Sequence, residues 1–160
     1  MKKIILAALA VVAFGAQAAD EGAYAGLNYG SYNLSCDDCS GGSETAVGLY
    51  GGYQMGNIAA EVSRVQKTNN GVKFVYTDIA AIPRINVAKD VNVLGKVGLR
   101  QSEISDSTEK FSGTSLVIGA GVEYTFMPQV TLRAMVDYSN KTFGESIKAT
   151  TTTIGVAYKF

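Results

Sequence analysis

Apolar and polar positions alternate with a period of two from residue 22 onwards, and polar or glycine-containing segments interrupt the alternation. A period of two is typical of β-strands, in which successive side chains point to opposite faces. The alternation predicts strands at residues 22–34, 45–55, 58–67, 72–88, 91–103, 114–126, 130–140 and 147–160. These segments are longer than the roughly five to six residues of a globular strand, and a tilted strand needs about 9–11 residues to cross a bilayer.

Two kinds of connection separate the predicted strands. Tight turns at Gly56-Asn57, Lys89-Asp90 and Met127-Pro128-Gln129 alternate with longer polar connections near residues 35–44, 68–71, 104–113 and 141–146. Outer-membrane barrels show this alternation, with short periplasmic turns and longer external loops. We therefore predict an all-β fold, an eight-stranded antiparallel transmembrane up-and-down β-barrel whose termini both lie on the periplasmic side.

The two faces of each strand indicate which side meets lipid. In the sixth predicted strand one face is apolar and consists of Leu116, Ile118, Ala120, Val122, Tyr124 and Phe126. A soluble lipocalin-like barrel would alternate as well, with its apolar face in a core. Here the polar faces are rich in Gly and Thr, and aromatic residues gather near strand ends on the apolar face, as in an interfacial girdle. These aromatic residues are Tyr53, Tyr124, Phe126, Tyr138, Tyr158 and Phe160.

The polar face then lines the barrel interior, where it carries a balanced set of charges: Glu61, Asp78, Arg84, Lys96, Arg100, Glu123, Arg133 and Asp137. The opposite register would place basic side chains in lipid, at roughly 2–4 kcal/mol each near mid-bilayer. Counted from the tight turns, Asp78, Arg100 and Asp137 lie higher in the barrel and the other five lie in the periplasmic half. An eight-stranded barrel is just wide enough for side chains to fill, so we expect a salt-bridge network that plugs the interior. The alternative is a small gated pore along these charges, or a conduit for a hydrophobic ligand.

The positions of proline and glycine lead to two further predictions about the strands. Pro83 lies within the fourth predicted strand, where it cannot donate a ladder hydrogen bond and a closed barrel offers no free edge. We expect a bulge near the periplasmic end to accommodate it. Inward-facing glycines should make room for long interior side chains, and these are Gly26, Gly48, Gly52, Gly98, Gly119, Gly121 and Gly155.

The first residues have the pattern of an export signal. Lys2 and Lys3 precede an apolar stretch at residues 4–14, which is too short to span a bilayer as a helix. Ala16-Gln17-Ala18 follows with the small-x-small pattern of a cleavage site. We predict a cleaved signal peptide at residues 1–18 and one barrel domain at residues 19–160, located in the outer membrane of a Gram-negative cell. An uncleaved N-terminal anchor is the alternative.

Composition bears on other function classes. The chain has 14 basic and 14 acidic residues and no histidine. No basic patch is interleaved with aromatic residues, so we expect no nucleic-acid partner. Barrel enzymes such as acyltransferases, deacylases and proteases typically need a histidine base. We therefore expect no enzymatic activity, no catalytic residues and no cofactor.

The two cysteines, Cys36 and Cys39, enclose Asp37 and Asp38. An oxidising periplasm favours a short-range disulfide between them. The alternative is a metal site that includes the two aspartates, although zinc usually takes four ligands and histidine is absent. A redox-active pair normally opens a helix in a βαβ context, which the strand pattern lacks. We predict the disulfide and no metal.

Four segments carry a resemblance to a known family. They are Gly48-Leu49-Tyr50-Gly51-Gly52-Tyr53-Gln54, Lys96-Val97-Gly98-Leu99, Gly119-Ala120-Gly121-Val122-Glu123-Tyr124 and Gly155-Val156-Ala157-Tyr158-Lys159-Phe160. In this order, behind an export signal, the chain resembles the outer-membrane β-barrel superfamily that includes the OmpA transmembrane domain and the OmpX/Ail proteins. The resemblance implies an integral outer-membrane protein with a structural or surface-interaction role.

The resemblance also implies partners and roles for particular residues. Tyr158 and Phe160 would be the signal read by the barrel-assembly machinery, and filling the aromatic girdle is the plainer alternative. Five interior charges would correspond in kind to the salt-bridge cluster of OmpA-type barrels: Glu61, Arg84, Lys96, Glu123 and Arg133. The expected partners are outer-membrane lipids, lipopolysaccharide and the assembly machinery, and the expected state is a monomer. The predicted outer loops are shorter than those of Ail-like adhesins, so host-cell binding is not implied.

Overall fold

The computed structural model describes residues 21–35, 43–69, 72–105, 110–142 and 147–160. Over these ranges the chain forms the strands β1 (Glu21–Ser35), β2 (Ser43–Met55), β3 (Ile58–Asn69), β4 (Val72–Ala88), β5 (Val91–Ser105), β6 (Lys110–Met127), β7 (Val130–Thr142) and β8 (Ile147–Lys159). Each strand pairs antiparallel with the next, and β8 pairs with β1 to close the barrel. The predicted eight-stranded antiparallel barrel is confirmed. Within these ranges there is no helix that could cross a membrane.

The barrel has two different ends. Two-residue turns at residues 56–57, 89–90 and 128–129 lie at one end, which we call the turn end. Gly56 and Asp90 have φ angles of 58° and 65°, the left-handed backbone that tight hairpin turns require. The opposite end, where the other connections lie, is called the loop end.

Strand pairing continues further at the loop end than the alternation predicted. Ser105 of β5 faces Lys110 of β6 across the sheet. The sequence placed this stretch in a connection because its residues are polar. Ladder hydrogen bonds are made by the backbone, so the pairing does not stop where the apolar side chains stop.

Pro83 is accommodated without an inserted residue. The register between β4 and β5 is the same on both sides of Pro83, and it shifts only between Asn86 and Ala88. A bulge therefore does exist near the turn end of β4, as predicted, but it does not include the proline.

The space for the proline ring comes from the neighbouring strand. The backbone N–H of Arg84 donates to the carbonyl of Asn57 in the turn before β3, at 2.8 Å. Because successive backbone nitrogens point to opposite neighbours, the nitrogen of Pro83 faces β5, where one ladder donor is missing. Gly95 lies there, and a Cβ at this position would come within 3.0 Å of the Pro83 Cγ atom.

The barrel is apolar on the outside and charged on the inside. Large apolar side chains cover the outer wall, and the most exposed include Ile79 at 66%, Ile154 at 63% and Leu49 at 62%. An exposed apolar surface that encircles a protein indicates apolar surroundings, because soluble monomers rarely expose contiguous patches of this kind.

Polar side chains limit this apolar band at the loop end. Facing positions on four adjacent strands, β3 to β6, are occupied by Arg64, Thr77, Gln101 and Thr114, which we call the polar row. The next outward-facing residues toward the turn end are apolar and exposed: Val62, Ile79, Leu99 and Leu116. On β3 to β6 the polar row therefore marks where the apolar surface ends.

Candidate functional site

All eight charged residues selected from the sequence point into the barrel, and none is more than 9% exposed. They form two groups stacked along the barrel axis. We call Glu61, Arg84, Glu123 and Arg133 the turn-side cluster, and Asp78, Lys96, Arg100 and Asp137 the loop-side cluster. Each cluster contains two acids and two bases. Each is therefore formally neutral by itself, as buried charges need to be.

Arg133 is the central residue of the turn-side cluster. Its Nη1 atom lies 2.5 Å from Glu61 Oε2, and its Nη2 atom lies 3.1 Å from Glu123 Oε2. Glu123 and Arg133 face each other directly across β6 and β7. The second oxygen of Glu123 accepts from Arg84 Nη1 at 2.7 Å. The four side chains form one continuous chain of ion pairs.

Uncharged side chains complete the turn-side cluster. The Tyr24 hydroxyl donates to Glu61 Oε2 at 2.7 Å, and Arg84 Nη1 donates to Gln54 Oε1 at 3.0 Å. The Arg133 guanidinium carbon lies 4.8 Å from the centre of the Tyr50 ring, which places the cation over the aromatic face. Gln54 is not among the residues predicted from the sequence, although its inward position beside a tight turn could have indicated it.

Asp78 is the central residue of the loop-side cluster. It accepts two hydrogen bonds from Arg100, with Nε at 2.8 Å and Nη2 at 2.9 Å, and one from Lys96 Nζ at 2.8 Å. Lys96 Nζ also lies 2.8 Å from Asp137 Oδ2. Arg100 Nη1 donates to the hydroxyl of Thr151 at 3.2 Å. The paired geometry at Asp78 is the bidentate arrangement in which Arg–carboxylate bonds are strongest.

Lys96 differs from its expected grouping. Counting from the turns placed it in the periplasmic half with the turn-side residues, but its ammonium group pairs with Asp78 and Asp137. The count locates the Cα atom, whereas the flexible four-carbon side chain carries the charge some ångströms further along the axis.

An aromatic layer lies between the loop-side cluster and the loop end. The Tyr76 hydroxyl donates to the Tyr32 hydroxyl, and the two rings pack edge to face with centres 5.0 Å apart. Phe74 packs against Tyr76 at 6.2 Å. The Arg100 guanidinium carbon sits 4.3 Å from the centre of the Tyr76 ring. This layer was not predicted from the sequence, although Phe74 and Tyr76 share the inward parity of Asp78.

Inward-facing glycines leave the space that these side chains occupy. A Cβ at Gly26 would lie 2.6 Å from the Tyr50 ring, and one at Gly52 would lie 2.8 Å from the Tyr24 hydroxyl. At Gly119 a Cβ would overlap the carboxylate of Asp137. These positions therefore cannot carry a side chain unless the interior rearranges.

The last strand brings Tyr158 and Phe160 to the turn end. Both side chains face outward, at 46% and 42% exposed, and their rings pack edge to face at 5.3 Å. The backbone N–H of Phe160 donates to the carbonyl of Ala23 at 2.9 Å, across the seam between β8 and β1. Their role in assembly stays a prediction.

Some sequence predictions lie outside the described residues. Residues 1–18, predicted as the signal peptide, are among them, and so are Cys36 and Cys39 with the two aspartates between them. The cleavage and the disulfide stay predictions. Among the residues that the structure does describe, no group of three or more His, Cys, Asp or Glu side chains could hold a metal ion.

The chain matches a known protein family. Residues 4–160 match the family described as the outer membrane protein beta-barrel domain. The chain belongs to this family. The resemblance inferred from the four glycine- and aromatic-rich segments is confirmed. A comparison with curated proteins gives no match.

Solved outer-membrane barrels share the fold of this family member. One is Ail, the attachment invasion locus protein of Yersinia pestis, which was solved in complex with the heparin analogue sucrose octasulfate. Ail has a TM-score of 0.68 and 19% identity, over 88% of this chain and 99% of Ail. Neisserial surface protein A has a TM-score of 0.65 and 19% identity, over 87% and 97%. The N-terminal β-barrel domain of Pseudomonas aeruginosa OprF has a TM-score of 0.62 and 19% identity, over 84% and 97%. At these identities the likeness shows the common fold.

Proposed function

We propose that this protein is an integral, multi-pass component of the Gram-negative outer membrane, with a closed interior and a structural or surface-contact role. The observation that carries the proposal is the stacking of three filled layers inside the barrel: the turn-side cluster, the loop-side cluster and the aromatic layer. The outer wall is apolar, so the protein is held in lipid by the surface that a soluble protein would bury.

The interior layers oppose the passage of ions. In both clusters the carboxylates accept hydrogen bonds from guanidinium or ammonium groups, with N–O distances as short as 2.5–2.8 Å. An ion crossing the barrel would have to separate these pairs in surroundings of low polarity, where an uncompensated charge is costly. It would also have to pass the rings of Tyr32 and Tyr76, which are 7% and 3% exposed.

Planar-bilayer recording on the reconstituted protein tests the closed interior. We expect no steady conductance above that of the protein-free bilayer. Insertion is verified on the same sample by gel electrophoresis, where the folded barrel should migrate differently before and after boiling. A steady conductance in the nanosiemens range from a heat-modifiable sample would contradict the closed interior and favour the alternative of a small pore.

We further propose that the loop end contacts lipopolysaccharide through Arg64. This residue is exposed on the outer wall in the polar row, between the apolar band and the loop end. A cation at this height faces the phosphate-bearing region of an outer leaflet, and an interaction of about 1 kcal/mol per basic residue is typical at an anionic lipid surface. That Ail was solved with sucrose octasulfate shows that a barrel of this fold can bind a polyanion.

Replacing Arg64 with glutamine should weaken this contact. We expect added lipopolysaccharide to stabilise the wild-type barrel against urea by about 1 kcal/mol more than it stabilises Arg64→Gln. Lys89→Gln is the matched control, because it removes the same charge at the opposite, turn end of the barrel. If added lipopolysaccharide stabilised both variants and the wild type equally against urea, this result would contradict a role for Arg64.

The exposed aromatic end of β8 supports a further proposal, that Tyr158 and Phe160 are read by the barrel-assembly machinery. Both rings lie on the lipid-facing side at the turn end, next to the seam where β8 meets β1. A strand that closes the barrel last can present its outward face to another protein before the seam forms.

A further inference from the structure

A small cavity lies inside the barrel between the two ion-pair clusters. Its volume is about 20 Å³. Its lining includes Glu61 and Arg133 of the turn-side cluster, Asp78 and Lys96 of the loop-side cluster, and the ring of Tyr50. The cavity therefore separates two layers of charge that no direct ion pair among the described residues joins.

Three residues that line this cavity keep a buried polar atom without a protein hydrogen-bond partner. The atoms are the Tyr50 hydroxyl, Asn28 Oδ1 and Asp137 Oδ1. Buried polar atoms in folded proteins are nearly always hydrogen-bonded to protein or to ordered water, because an unpaired one loses its hydration without compensation. The Tyr50 hydroxyl can both donate and accept, whereas the other two atoms can only accept.

We infer that the cavity binds an ordered water molecule that is held by the Tyr50 hydroxyl and by the charged groups of the lining. A cavity needs roughly 10–15 Å³ to hold a water, so the space is sufficient, and it is too small for an organic ligand. Water offers two donors and two acceptors, which suits a lining that contains both carboxylates and cations. A metal cation in the cavity is disfavoured, because the ammonium group of Lys96 already pairs with both aspartates of the loop-side cluster.

This water continues the hydrogen-bond network of the interior along the barrel axis. Each cluster is held together by its own ion pairs, and the water is the group that links the two clusters. The Tyr50 hydroxyl then has the partner that the protein alone does not provide, although its residue is only 5% exposed. An ordered water in this cavity is compatible with a closed barrel and with a conducting one.

The variant Tyr50→Phe tests whether the Tyr50 hydroxyl is hydrogen-bonded to water or is unpaired. If the hydroxyl binds water, its removal breaks a hydrogen bond and lowers the urea midpoint of unfolding. If the hydroxyl is unpaired, its removal relieves a buried polar group and leaves the midpoint unchanged or raises it. Tyr24→Phe is the matched control, because it removes the hydroxyl that donates to Glu61 and should lower the midpoint.

A crystal structure that resolves ordered waters provides a second and independent measurement on the unchanged protein. We expect a density peak in the cavity within hydrogen-bond distance of the Tyr50 hydroxyl oxygen, and we expect its loss or displacement in Tyr50→Phe. A cavity without density in the wild type, or a Tyr50→Phe midpoint equal to or above that of the wild type, would overturn the inference.

Discussion

Replacing Arg133 with methionine is expected to destabilise the barrel by about 3–5 kcal/mol, the typical loss when one partner of a buried ion pair is removed. Arg133 is 7% exposed and pairs with two carboxylates, Glu61 and Glu123. Methionine keeps much of the side-chain length but leaves the turn-side cluster with two acids and a single base. The measurement is urea unfolding in lipid vesicles, in which the folded fraction is monitored by its gel mobility.

Two comparisons isolate the charge effect at Arg133. Arg64→Met removes an exposed arginine for which the structure gives no ion pair among the described residues, and it should change stability by no more than about 0.5 kcal/mol. Adding Glu61→Gln to Arg133→Met restores the charge balance around the remaining Arg84–Glu123 pair, and it should recover part of the loss. If Arg133→Met were no more destabilising than Arg64→Met, the interior charges would not be acting as a compensated set.

Placing an arginine on the outer wall near mid-band should be nearly as damaging. Ala120 is exposed on β6 near the middle of an outward apolar run that extends from Leu116 to Phe126. A basic side chain at the bilayer midplane costs roughly 2–4 kcal/mol on the lipid face of a barrel. We therefore expect Ala120→Arg to lower the free energy of unfolding in vesicles by about that amount.

Thr114→Arg is the matched control for Ala120→Arg. The substituted residue lies on the same strand and the same face, but in the polar row at the loop end. Near an interface the same substitution costs only about 0–1 kcal/mol. Equal losses in the two variants would show that the polar row does not mark the edge of the lipid-facing band.

The fold could be predicted from sequence because its main signal is local. Alternation along a strand shows which residues share a face, as in the run from Leu116 to Phe126, and the spacing of tight turns shows where strands end. The same parity placed all eight charges inside the barrel. Prediction was weaker at the loop end, where Ser105 and Lys110 pair although both are polar, because backbone hydrogen bonds leave no side-chain pattern.

Parity alone could not divide the charges into clusters. Lys96 was grouped by the height of its Cα atom, and the structure places its ammonium group with Asp78 and Asp137 instead. The aromatic layer of Tyr32 and Tyr76 was missed for a related reason. The two residues lie 44 positions apart in the chain, and only the closed barrel brings their hydroxyls together.

The sequence by itself determined that the chain forms long alternating strands and which side of each strand carries charge, since these depend on the period of the strand and on the energy of a charge in lipid. The tertiary structure alone decided which acid meets which base. Arg133 and Glu61 are 72 residues apart, and they pair only because the closure and stagger of eight strands bring β3 and β7 across the same interior. Side-chain length and strand tilt set these contacts, and neither can be read from a pattern of apolar and polar positions.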